Sequence, residues 1–337
     1  MTADAFKFDS PLDGETPLLI GVNGPPGAGK TFTALTLAEG IQRVRGGDVL
    51  LLDTEGGRSR AYRERFKFRL QMMDAPYDPL RFVAAIEAAE AANAACLIID
   101  NMSDEHEGPG GTLSKHDSEL DRMAGNDWAK RERSSQAAWI RPKADRLKLC
   151  GKLLRVRVPV ICAFRAREKT KPIKNERGKI EPTNVGFTPI APAEIVHTMG
   201  VNLLLPPFAQ GVPTWESEKV GESFLLKLAD PFKPIFAQRG AVTADQGEAL
   251  ARWARGEKTA PKSAGAKGAT TLDARTQAAC EALHGAADLA ALEKVNAKTQ
   301  AVRDEAFAAN RDDLVSRIRN AYGERRRALD PTGEHMA

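Results

Sequence analysis

Cysteine is scarce in this chain: four in 337 residues, at Cys96, Cys150, Cys162 and Cys280, far apart in the sequence. Thiols scattered in this way exclude a disulfide framework and a zinc-type spacing, and those inside apolar strand-like runs read as buried core residues. Histidine is nearly as scarce. Two of the five, His106 and His116, lie in the acidic stretch DEHEGPGGTLSKHD, where the Gly and Pro interruption fits no metal-ligand pattern. Long apolar runs are missing too, since none approaches the ~20 residues that cross a bilayer. The first residues, MTADAFKFDSPLDGE, carry neither the basic head nor the apolar core of a signal peptide. The expectation is a cytoplasmic chain with no membrane contact.

With 42% hydrophobic residues, the chain is long enough for one large α/β domain of roughly 200 to 250 residues plus something smaller. The net charge of +4 hides an asymmetry. Residues 129–179 hold seventeen Lys and Arg against four Asp and Glu, an excess of +13 that leaves the rest of the chain at −9. A basic excess concentrated in this way hints at a polyanionic partner.

The most specific pattern is Gly24-Pro25-Pro26-Gly27-Ala28-Gly29-Lys30-Thr31. It follows an apolar run, PLLIGVN, and precedes a helical pattern through Leu35, Leu37, Ala38 and Ile41, the strand–loop–helix order of a P-loop. Each part has a physical task. The glycines let backbone N–H groups curl around phosphates, and the positive end of the helix faces them. Lys30 reaches the outer phosphates, and Thr31 ligates magnesium. Residues Gly24 to Phe32 are therefore the candidate ATP site, with Mg2+ as the accompanying ion. Asp100, at the end of the apolar run CLIID, is placed to hold that ion as a Walker B aspartate.

Further along, DVLLLD (48–53), a segment at 66–73, CLIID (96–100), VPVICAF (158–164), and segments at 201–205 and 224–228 read as short strands. Helical stretches alternate with them, including one over 78–93 opened by Asp78-Pro79 and one over 244–255 opened by a Thr243/Gln246 capping box. This alternation predicts an α/β fold with a mostly parallel sheet covered on both faces. Residues 101–125 read as a long loop, 128–154 as a basic helical region interrupted near Pro142, and Arg177-Gly178 as a hairpin turn. The domain boundaries that follow are a tail (1–14), an ATPase core (15–255), a flexible linker (256–271) and a helical C-terminal domain (272–330) of two or three helices.

The placement of carboxylates narrows the class. Asn101, not a glutamate, follows Asp100, whereas Glu55 stands just past the second strand in LLDTEGG. The order GPPGAGKT, LLDTEGG, CLIIDNMS and VPVICAFRAR over about residues 15–230 resembles the RecA-like P-loop core. The phrases LLDTEGG, IIDNMSDEHEGPGG and ICAFRAREKTKP look like the ATP-binding proteins of tailed phages and prophages, some of whose relatives are single-strand annealing recombination proteins. The resemblance implies that Glu55 positions the attacking water, with Asp104, Glu105 and Glu107 as weaker competitors. Arg165 stands where RecA-type proteins carry a polar γ-phosphate sensor. It, or Arg167, could equally stabilise transition-state charge or make an ordinary ion pair.

The same resemblance implies mobile DNA-holding loops after the Walker B strand and after the sensor strand. Arg167, Lys169, Lys171, Lys174, Arg177 and Lys179 fall in the second, where they would neutralise phosphates of single-stranded DNA, though no aromatic residue is there to stack bases. A DNA-linked ATPase acting in phage recombination or replication as a homo-oligomer, ring or filament, is the leading expectation, with recombination or replication proteins as further partners through the C-terminal helices. A protein-remodelling ATPase, a small-molecule kinase and a nucleotide-gated binding module stay open beside it.

Overall fold

A computed structural model describes residues 15–174, 178–215, 228–237, 240–257, 272–308 and 312–330. The chain packs as two compact units, 1–261 and 262–337. In the first, β1 (Leu19–Gly24), β2 (Val49–Asp53), β3 (Arg69–Met72), β4 (Cys96–Asp100), β5 (Val160–Lys174) and β7 (Val201–Leu204) form a sheet in the order β3-β2-β4-β5-β1-β7. These pairings are parallel, and β6 (Ile180–Pro189) joins antiparallel to the far end of β5.

The central strands are buried on both faces because they are apolar at successive positions. In β4, Cys96 and Ile98 pack with Leu35, Leu37 and Ile41 of α1 (Lys30–Arg45) and Leu250 of α8 (Ala244–Ala254). Leu97 and Ile99 pack on the other side with Phe82 and Ile86 of α2 (Pro79–Ala91) and Leu149 and Leu153 of α6 (Ile140–Leu153). A parallel sheet of this kind reads as continuous hydrophobic runs rather than as alternation. Helices α1 and α8 approach closely through two glycines. A β-carbon at Gly40 would lie 1.7 Å from the Ala244 carbonyl oxygen, and one at Gly247 would lie 2.1 Å from that of Leu37.

Local chemistry sets the element ends. Asp78 accepts a hydrogen bond from the Leu80 N–H at 2.8 Å and Pro79 occupies the first turn of α2, while Thr243 and Gln246 form the expected capping box on α8. Several expectations are corrected. Residues 101–125 are not a long loop: α3 (Ser103–Glu107) and α4 (Thr112–Ala124) lie there. The basic region divides into α5 (Trp128–Ala138) and α6 at Trp139, and Pro142 sits harmlessly in the first turn of α6, where no N–H bond is needed. The fourth core strand does not stop at Phe164 but continues to Lys174. Residues 224–227 of the expected last strand lie outside the described residues, and Leu228 makes an isolated antiparallel bridge to Val201. A short helix, α7 (Ala193–Thr198), precedes β7.

In the second unit the described residues form four helices, α9 (Leu272–His284), α10 (Leu289–Lys298), α11 (Gln300–Ala308) and α12 (Asp312–Leu329). Leu283, Leu292 and Ile318 close its core. The tail 1–14 and residues 258–271 of the expected linker lie outside the described residues. Among the described residues no helix is long and apolar enough to cross a membrane. All four cysteines are free and buried, and burial pushes the Cys162 thiol up to about 12.

Candidate nucleotide site

The site lies at the carboxyl ends of β1, β2, β4 and β5, where the register sets Asp53 beside Asp100, Asp100 beside Ala163, and Gly24 beside Arg165. This edge is where open α/β sheets bind ligands, because the strands end there and helix N-termini begin. Gly24 ends β1, Pro25 to Gly29 form the loop, and Lys30 opens α1. Gly27 and Gly29 hold φ of 76° and 92°, a region that glycine enters without a steric cost. The far wall is the loop after β7. A β-carbon at Gly24 would meet the Leu205 carbonyl oxygen at 2.7 Å, and one at Gly29 would lie 3.5 Å from the Gly211 nitrogen.

Lys30 is turned onto its own loop, its Nζ donating to the Pro25 carbonyl at 3.1 Å, and burial holds its pKa below the usual lysine range. Pro25 also accepts from the Ala28 N–H at 3.3 Å, which closes the turn. The Thr31 hydroxyl donates to Asp100 Oδ2 at 2.6 Å, so the sheet brings together the two residues expected at the ion. The Phe32 ring packs edge-on against Tyr62 and Phe66, with centroids 6.2 and 5.3 Å away.

Around this pair the chain gathers carboxylates. Burial pushes Asp100 up to about 6; the Thr31 hydrogen bond and Lys30 work against that rise, and the charges of Glu55 and Asp53 add to it. Crowded, desolvated acidic groups of this kind fit a divalent cation. Among the described residues no three His, Cys, Asp or Glu side chains converge as a metal cage. The ion would then take oxygens from the phosphates as well as from Thr31 and Asp100, the way magnesium is usually held.

Two residues that sequence reasoning passed over fix Glu55. Asp53 is buried and turned back on the loop that follows it: its Oδ1 accepts from the N–H of Glu55 at 2.7 Å and of Gly57 at 3.1 Å, and its Oδ2 accepts from the Ser59 N–H at 3.1 Å and the Ser59 hydroxyl. Asn101 donates through Nδ2 to Glu55 Oε1 at 2.7 Å. The signal for Asp53 was present in LLDTEGGRS, since an Asp ahead of two glycines and a serine is a turn-capping arrangement.

The competing carboxylates have other tasks. Asp104 accepts from the Thr54 hydroxyl at 2.6 Å and from Arg165 Nη2 at 2.6 Å, Glu107 lies 3.4 Å from the same guanidinium nitrogen, and Glu105 accepts from Thr112 at 2.7 Å. The Asn101 N–H donates to the Thr54 hydroxyl oxygen at 2.9 Å, so contacts run without a gap from Glu55 through Asn101, Thr54 and Asp104 to Arg165. Arg165 is thus held in an ion pair within its own chain. A stretch holding His106 and His116 has an ordinary structural use, since His116 stacks on Trp139 at 4.1 Å.

A family described as "AAA domain" matches residues 16–195, from just before β1 into α7. The chain belongs to the AAA domain family. No curated protein matches it. As an AAA domain it is of the P-loop ATPase type, and the matched span holds β1, β2 and β4 with Thr31, Glu55 and Asp100.

Those expected DNA-contacting residues that the structure describes lie on the arm that β5 and β6 form where β5 runs on past its pairing with β1 and β4. Pairing runs from Ala166 opposite Pro189 to Lys174 opposite Ile180, with one irregularity between Glu168 and Thr170. Arg167 and Lys169 are exposed on β5, Lys171 and Lys174 lie within the same strand, and Lys179 is exposed just before β6, 3.9 Å from Glu181. Arg177 lies outside the described residues. Ten of the seventeen basic residues of 129–179 precede β5 altogether, on α5, α6 and the turn that follows.

Proposed function

We propose that this AAA domain hydrolyses ATP and uses the nucleotide state to control its grip on single-stranded DNA. The observation that carries the reading is the Thr31–Asp100 contact at 2.6 Å with Glu55 fixed beside it by Asn101 at 2.7 Å. In this reading the backbone N–H groups of Gly27 to Thr31 and the Lys30 ammonium bind the phosphates. Thr31 and Asp100 hold Mg2+, whose chemistry when bound is to offset charge on the oxygens that transfer. Glu55 orients a water molecule and accepts its proton. Lys30 would leave Pro25 for the phosphates, and Thr31 would leave Asp100 for the ion.

The arm is suited to sense this change. β5 is continuous from Val160, beside β4, to Lys174 at the far end of the hairpin, and Arg165 stands at the junction. A shift of Glu55 toward a water would release Asn101, and the contacts through Thr54 and Asp104 would carry the change to Arg165 and the base of the arm. Arg167, Lys169, Lys171, Lys174, Arg177 and Lys179 would then neutralise phosphates of a single strand. Such an ATPase would serve recombination or replication in a phage-type setting and would act as a homo-oligomer.

The test is a steady-state ATPase assay with and without single-stranded oligonucleotide, paired with binding at low salt. The expected outcome is magnesium-dependent turnover that the oligonucleotide stimulates, and binding that strengthens with a non-hydrolysable ATP analogue. No oligonucleotide binding at low salt would overturn the DNA part, and turnover stimulated by protein but not DNA would point to a remodelling ATPase.

A further inference from the structure

Helix α6 is apolar on two sides. One side packs into the domain through Pro142, Leu149, Cys150 and Leu153, all buried. The other carries Ile140, Ala144, Leu147, Gly151 and Leu154, the last capping the helix, at steps of four, three, four and three. That spacing is the seam of a coiled coil, which keeps one narrow apolar line facing a partner helix. The domain leaves its large side chains in solvent: Ile140 is 68% exposed, Leu147 64% and Leu154 58%. Single exposed apolar residues are ordinary, but three of them seven residues apart on one line are a continuous contact surface.

The flanks of the line are basic. Arg141 and Lys148 lie seven residues apart along one edge, Arg155 follows at the same spacing in the turn just after the helix, and Lys143 lies on the other edge; all four are exposed. Over 140–155 the chain has six basic residues and one acidic, Asp145, which is shared between Lys115 and Lys148. Pairs that Arg141 and Lys148 make within the chain, to Glu119 and Asp145, are exposed and contribute little, so these cations stay available to a partner.

We infer that this face of α6 docks an acidic amphipathic helix of another protein, with apolar residues at heptad spacing and Glu or Asp at the flanking positions. A second copy of this chain is a poor occupant, since pairing α6 with itself in either direction sets basic flanks against basic flanks. A nucleic acid would use the cations but not the apolar line. The inference is independent of the ATPase and DNA readings, since none of these residues lies at the nucleotide site or on the arm.

The probe is a fluorescent synthetic peptide of about 28 residues, four heptads, with Leu at the two seam positions and Glu at the flanks; a second peptide replaces each flanking Glu by Lys. Titrated with the full chain, the Glu peptide binds saturably and the Lys peptide at least about tenfold more weakly. Leu147→Asp weakens the Glu peptide about tenfold or more while leaving the melting temperature and ATP binding unchanged. The triple change Arg141→Glu, Lys148→Glu, Arg155→Glu reverses the preference between the peptides. Absence of binding, equal binding of both peptides, or indifference to Leu147→Asp would overturn the inference. So would a Leu147→Asp chain that loses oligonucleotide affinity instead, or that changes from dimer to monomer in sedimentation, because the face would then belong to nucleic acid or to a second copy.

Discussion

Residues 160–165 and 166–174 belong to one strand, yet their charged groups sit in opposite surroundings. In the first segment, inside the sheet, Arg165 is half-buried and paired: it meets Asp104 and Glu107, and its N–H donates to the Ser103 hydroxyl at 2.9 Å. In the second, beyond the sheet, Arg167 and Lys169 are exposed on a two-stranded arm. The difference teaches how one stretch of basic sequence divides. Where β5 borders β1 and β4, the Arg165 charge goes into holding the Asp104–Thr54–Asn101–Glu55 contacts in place. Where it has only β6 beside it, Arg167 and Lys169 are exposed.

The largest effects should come from the paired side. Glu55→Gln keeps the shape of the side chain and removes the proton acceptor, so turnover should fall by about 100-fold or more while ATP affinity stays within a few-fold. Equilibrium binding of a fluorescent ATP analogue alongside the turnover assay separates the two, and unimpaired turnover would remove Glu55 from the chemistry. Asp53→Asn comes next. An amide cannot accept at both ends, so the loop holding Glu55 loosens; the expected result is a fall in kcat of about tenfold with KM for ATP little changed. A change confined to KM would assign Asp53 to binding instead.

On the exposed side, the double change Arg167→Glu, Lys169→Glu should leave basal turnover intact. It should weaken single-stranded oligonucleotide binding about tenfold at low salt and reduce the slope of log affinity against log salt by about 1.4, as two lost phosphate contacts require. Arg165→Ala sharpens the contrast, since a paired arginine should lower turnover more than it alters that slope. Equal salt slopes for the two variants would erase the distinction between the halves of β5.

How much of this was legible in the sequence depended on whether the signal was local. Gly24 to Thr31 carries its own spacing, and CLIID and DVLLLD are apolar enough to be buried strands that end in acids, so the strand–loop–helix unit and the sheet could be read directly. The capping box at Thr243 and Gln246 was equally local. Residues 101–125 misled, because Gly108, Pro109, Gly110 and Gly111 suggested a loop when they form only the short joint between α3 and α4. Asn101 was read for what it was not, a glutamate, and its hydrogen bond to Glu55 joins residues 46 positions apart that only the β2–β4 pairing brings together. The charge excess was visible as a sum. Its division between α5, α6 and the arm was not, since that depends on which partners the fold supplies, as Glu119 does for Arg141 and Glu90 for Lys152.

The smallest effect tests the paired side through stability alone. Glu105, on α3 next to Asp104, is fully buried; burial pushes its carboxyl up to about 7, against the opposing pull of the Thr112 hydrogen bond and Arg146, with Glu194 and Asp78 adding to the rise. Its ordinary value is 4.5, so between pH 4.5 and 7 the folded chain binds more protons at this site than the unfolded chain does. Stability therefore falls as pH rises through that window and stays lower above it. Glu105→Gln removes the titration while keeping an oxygen for Thr112. The variant should match the wild type near pH 5 and exceed it by on the order of 2 kcal/mol at pH 8, read from melting curves across the range. A difference that stays constant with pH would mean that Glu105 is held ionised, with Arg146 as its effective counter-charge. The helix that carries Asp104 would then be fixed by an ion pair rather than by a neutral, hydrogen-bonded carboxyl.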